Sequence, residues 1–175
     1  MKRYIFILCI AIIIVILSIV FCYNYSSKEK KVISTLEYIF HAPPTKIAIV
    51  YEEMYKKELS SNRNLTQELE VAVLEWGSGM IEESVLNDYS STFYGQIIAL
   101  MYARTVEYDI IIEPQTIEVE QIGENQFVYT ANLKTNVSES EMIVSGNVQV
   151  NQEMLVNYMT CDFLEVFDDF LIQYE

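Results

Sequence analysis

The chain has 175 residues, 51% of them hydrophobic, and carries 25 acidic against 11 basic side chains for a formal charge of −14. So acidic a chain lacks the basic footprint that nucleic acid requires, which argues against such a partner. Of its three cysteines only Cys161 lies beyond residue 22, so a disulfide-built secreted scaffold is excluded.

The first predicted element is the nineteen-residue run Tyr4–Cys22, which holds no charged side chain. As a helix it would extend about 28 Å, close to the hydrocarbon thickness of a bilayer. It is therefore expected to be a single-pass transmembrane anchor, with Tyr4, Phe6, Phe21, Tyr23 and Tyr25 near the two headgroup regions. A cleaved signal peptide is the first alternative, but the run exceeds the usual length of such a region and no small-x-small site follows it. A lipoprotein with Cys22 acylated is the second; Ile19-Val20-Phe21-Cys22 resembles a lipobox, with Phe21 where a small residue is required. Lys2 and Arg3 on one side face Lys28, Lys30 and Lys31 on the other, so the positive-inside count is near balance. A large acidic segment after one N-terminal anchor argues for residues 1–27 as cytoplasmic stub and anchor. Residues 28–175 then form a single extracytoplasmic domain at the cell membrane, with helices over about 28–106 and strands over about 107–163.

Within that domain the spacing of Val32, Leu36, Ile39 and Phe40 predicts a helix from Lys28 to Phe40, ended by His41-Ala42-Pro43-Pro44. A second helix runs from Pro44 to Leu59 on Ile47, Val50, Tyr51, Met54 and Tyr55. Asn64 and Gln67 have the form of a capping box opening a third helix through Trp76, interrupted by Gly77-Ser78-Gly79. From Ile81 to Val106 the pattern is helical again, continuous or broken near Asp88–Ser91.

At Glu107 the period changes from 3.6 to 2. Ile117 and Val119 alternate with glutamates, Gly123-Glu124-Asn125 supplies a turn, and Phe127, Tyr129, Ala131 and Leu133 alternate in the next run. Met142, Val144, Gly146, Val148 and Val150 then share one face, and a fourth strand follows from Leu155 to Cys161. Short connections force an antiparallel meander of three or four strands, with Pro114 at an edge or a strand start. Glu165 to Tyr174 reads as a closing helix or a bent last strand. The fold class is α+β: a transmembrane helix, then helices packed on a curved antiparallel sheet of about four strands.

Helices followed by a curled sheet, together with the segment QIGENQFVYTANLKT…MIVSGNVQV, resemble the nuclear transport factor two-like superfamily, including its membrane-anchored bacterial members. That resemblance implies helices filling the cone of a bent sheet, and it allows hydrolase- or isomerase-type chemistry on a pocket carboxylate helped by Tyr or His. A pilin-like fold and a simple helical hairpin with a sheet are the other architectures the element order permits.

The residues do not supply a recognisable catalytic set. His41 is the only histidine and stands between two helices, where a helix-end surface residue is expected rather than a base. A multi-histidine zinc site is impossible, and Gly77-Ser78-Gly79 lacks the lysine of a phosphate loop. Cys161, between Met159 and Phe163, is expected to be a buried small apolar residue. Asp162, Glu165, Asp168 and Asp169 form the densest acidic cluster, read as a solvated face rather than a calcium site. No catalytic, cofactor or metal residue is therefore assigned. From Thr105 to Glu175 there are 14 acids against Lys134 alone. The expected function is a binding or assembly module, an accessory subunit of a membrane or envelope complex, with a protein partner that is basic where it meets this half. A small-molecule-binding protein or enzyme of the same fold is the alternative.

Overall fold

A computed structural model describes residues 27–56 and 63–172. The expected anchor, residues 4–22, lies outside them; among the described residues no helix is long and apolar enough to cross a membrane. Helix α1 covers residues 27–40 and buries Val32, Leu36, Ile39 and Phe40, the stripe that its sequence spacing sets on one face. It ends at a cis Ala42–Pro43 peptide. The Pro44 carbonyl then accepts the first bond of α2, Thr45–Lys56, from the Ala48 N–H. Helix α3, Arg63–Gly77, packs against α2. Asn64 lies inside α3, so the expected capping box does not open it there.

The helical stretch beyond Ile81 is broken. Helix α4, Glu83–Leu86, stops before Asp88, whose carboxylate accepts bonds from the Ser90 N–H and hydroxyl. Ser91 then caps the next helix, its Oγ accepting the Tyr94 N–H at 3.1 Å. That helix is π-helical over Tyr94–Tyr102 and runs on as α5, Ala103–Glu107. The hydroxyls of Tyr51 and Tyr55 on α2 donate to the Ile98 and Ala103 carbonyls.

Strands β1 (Ile112–Gln121), β2 (Gln126–Thr135), β3 (Glu141–Val150) and β4 (Val156–Met159) form one sheet in the order β1-β2-β3-β4, every neighbour antiparallel. The architecture is α+β, with helices against a four-stranded sheet. Strict alternation turns Phe127, Ala131 and Leu133 of β2 and Met142, Val144 and Val148 of β3 inward, all fully or almost fully buried, while Thr130, Ser145 and Asn147 face out. Burial of each of these inward side chains except Ala131 contributes roughly 1.5–3 kcal/mol. The closing helix α6, Phe163–Ile172, packs on β3 and the π-helix through Phe163, Phe167 and Phe170.

The fourth strand is shorter than its sequence suggests. Past Met159 the Thr160 and Asp162 N–H groups still donate to the Asn147 and Ser145 carbonyls, but side chains take over the accepting half: the Asn147 N–H donates to Thr160 Oγ1, and the Ser145 N–H and hydroxyl donate to the two oxygens of Asp162. Asp162 therefore precedes α6 and is held against β3, so it does not share a helical face with Glu165 and Asp169.

The two lateral edges of the sheet differ. The outer side of β4 is covered by residues 80–82, with Val156 N–H donating to the Met80 carbonyl and Glu82 N–H to that of Val156. The outer side of β1 is paired at its beginning, where Ala42 and Ile112 exchange both main-chain bonds. Pro114 is the third residue of this edge strand, as its missing N–H requires.

Burial sets a pH dependence. Cys161 is buried and its thiol is pushed up to about 11, chiefly by desolvation. The phenols of Tyr51, Tyr102 and Tyr129 are raised for the same reason. These protons are held more tightly in the folded state than in the unfolded one, so the stability they contribute is complete below about pH 9 for the thiol, which loses it as pH rises toward 11, and below about pH 10 for the phenols, which lose it above that. Cys161 alone corresponds to roughly 2–3 kcal/mol over that interval. Melting curves from pH 8 to 11 are expected to fall steeply, and Cys161→Ala is expected to flatten the lower part of the slope.

Candidate functional site

The interior offers no reactive constellation among the described residues. The buried polar side chains are Thr35, Thr105 and Thr135, and no carboxylate is buried. Three buried tyrosines donate to main-chain carbonyls: Tyr51 to Ile98, Tyr102 to Ile39 and Tyr129 to Thr160, at 2.7–2.8 Å. Such hydroxyls hold the core together. No cluster of three metal-ligating side chains occurs among the described residues.

His41 lies just past the C-terminal end of α1 and is exposed. It lines two open clefts. One, of about 400 Å³, is bounded by Tyr38, Pro43, Lys46, Glu75 and Trp76. The other, of about 580 Å³, lies between α1 and the start of β1 and is bounded by Ser34, Glu37, Tyr38, Glu113 and Pro114. Between them stands Tyr38, stacked on Trp76 with ring centroids 5.6 Å apart; Trp76 in turn stacks on Phe93 and meets Tyr102 edge-on. An aromatic column thus runs from the interior to the surface at this notch. A third recess, of about 520 Å³, separates α2 from α3 beneath exposed Ile49 and Val71.

The outer face of the sheet is polar, and its rows follow from the register. Glu118, Thr130 and Ser145 lie side by side, as do Glu120, Val128 and Asn147. Glu113 faces Lys134, which also faces Glu141, so the single base of this half sits between two acids. In the acidic cluster Glu165, Asp168 and Asp169 are exposed, whereas Asp162 serves the β3 seam. Any test of surface charge therefore belongs on the first three. Sequence reading missed the aromatic column and the open edge of β1, because both are set by contacts between distant segments. Compared with family models, curated proteins and solved structures, the chain matches none.

Proposed function

We propose that the chain is a membrane-anchored binding or assembly module, held in the bilayer by residues 4–22, with its α+β domain outside the cytoplasm as an accessory subunit of a membrane or envelope complex. The observation that carries this reading is the distribution of polar chemistry. The hydroxyls of Tyr51, Tyr102 and Tyr129 are taken up by main-chain carbonyls, while the clefts are open and lined by exposed acids, Tyr38 and His41. A surface of that kind suits a macromolecular partner better than an enclosed substrate. The fold kinship we favour is with nuclear transport factor two-like domains, on the order of helices before a meander.

Crosslinking in intact membranes followed by purification is expected to recover a heteromeric complex. Its yield is expected to fall between about 0.1 M and 1 M salt, as the Debye length shrinks from about 10 to 3 Å. Recovery of monomer alone, with turnover of a small molecule, would overturn the reading. Protease added to intact cells is expected to digest residues beyond 27; full protection would place the domain on the other side of the membrane.

A further inference from the structure

The open edge of β1 has a definite chemistry. In an antiparallel ladder residues alternately face the neighbouring strand and face away from it. Ile112 bonds Ala42 on the outer side, so Pro114, two residues on, also faces outward, and its missing N–H interrupts no bond to β2. A bulge then separates Pro114 from Thr116. At the other end the Ile122 N–H donates to the Gln126 carbonyl, so Thr116, Glu118 and Glu120 face β2 and Ile117 and Val119 face outward. Among the described residues no strand of the sheet lies on that side of Ile117 and Val119. Their side chains, half-buried, belong to the inner face and pack on the core, while Glu118 and Glu120 project from the outer face. The cleft between α1 and β1, with Glu37 and Glu113, continues the acidic lining toward His41.

We propose that this edge takes a short, extended, basic segment of another protein as a fifth strand, paired to the main chain of Ile117 and Val119. The proposal rests on the binding-module reading and names the partner's chemistry. Strand addition supplies affinity through four main-chain groups, and side-chain alternation supplies selection. Side chains of the added strand on the outer face come within about 5 Å of Glu118 and Glu120 and must be Lys or Arg; those on the inner face meet Ile117 and Val119 and must be apolar. Charge also decides against a second copy of this chain. Two β1 edges laid together would set Glu118 and Glu120 against the same residues of the other copy, an arrangement that like-charge repulsion penalises. Pro114 and the bulge stop pairing at one end, which fixes the register.

The probe is a short synthetic peptide alternating lysine with valine, added to the full-length chain in detergent or nanodiscs. The expected result is binding that slows hydrogen exchange at the Ile117 and Val119 amides. N-methylating alternate amides of the peptide, or introducing Val119→Pro, weakens it about tenfold or more, since each removes main-chain bonds. Because Val119→Pro perturbs a half-buried position, a second variant keeps the ladder intact: Glu118→Lys with Glu120→Lys exchanges the preference for a peptide alternating glutamate with valine. Equal binding of the N-methylated peptide would show charge attraction without strand addition, an unchanged preference in the double variant would show that Glu118 and Glu120 do not select the partner, and either result would sink the proposal. A membrane complex crosslinked equally well to wild type and to Val119→Pro would also sink it while leaving the binding-module reading in place.

Discussion

Gly146→Ala is expected to destabilise the domain by about 3–5 kcal/mol, at the upper end for a single substitution. Gly146 lies opposite Tyr129 in the β2–β3 register, and the Tyr129 hydroxyl passes beneath it to the Thr160 carbonyl at 2.7 Å. A β-carbon at residue 146 would stand 2.0 Å from the Thr160 oxygen and 2.7 Å from the Tyr129 hydroxyl. Neither contact is tolerable, and the nearer atom is backbone, so relief requires pulling residues 160–162 off β3. That movement would also break the bonds by which Thr160 and Asp162 complete the ladder. Tyr129→Phe isolates the hydrogen bond from the clash and is expected to lose about 1–3 kcal/mol, the cost of an orphaned buried carbonyl. Denaturant titrations of the three proteins check both values. A midpoint for Gly146→Ala equal to that of wild type would mean the seam is not packed as described.

Trp76→Ala is expected to cost a similar 3–5 kcal/mol, because Trp76 is buried and touches three rings at once. Trp76→Phe keeps part of the stack and is expected to lose less than half as much. The alanine variant has a second effect: without the indole beneath it, Tyr38 no longer has a fixed plane at the notch beside His41. The readout is thermal melting by far-ultraviolet circular dichroism, since the chain has one tryptophan and both variants remove it. A loss below about 1 kcal/mol for Trp76→Ala would contradict the packing.

Legibility in the sequence followed how local each signal was. The alternation in β2 and β3 and the helical stripes of α1 and α2 are periodic, so they could be read and the structure carries them. The break at Asp88–Ser91 was readable as one of two options, because Asp and Ser bond their own backbone within a few residues. Nothing periodic announces that Thr160 and Asp162 bond β3 through their side chains as well as their N–H groups, so the alternation runs on to Cys161 where the regular strand ends at Met159. Gly146 carries a usable sign, since a glycine inside a strand marks a close approach, although the alternation alone makes it one more inward position. Pro114 pointed to an edge, but which stretch of that edge stays open depends on Ala42, far away in the chain. The aromatic column likewise needs α1, α3 and the π-helix in place before Trp76 can touch Tyr38, Phe93 and Tyr102.

Helix α1 is fastened to the β1–β2 hairpin at both ends. Lys28 Nζ donates to the Glu124 carbonyl and to Asn125 Oδ1, and beyond the helix Ala42 pairs with Ile112. The helix therefore runs antiparallel to β1 as a strut about 20 Å long. A pull applied at residue 27 along that axis loads the strut in shear, so the buried face of Val32, Leu36, Ile39 and Phe40 resists as a unit. A pull across the axis instead peels the Lys28 contacts first and reaches the hydrophobic face one turn at a time. The direction in which the domain is tugged, more than the strength of any one bond, sets how much force it bears.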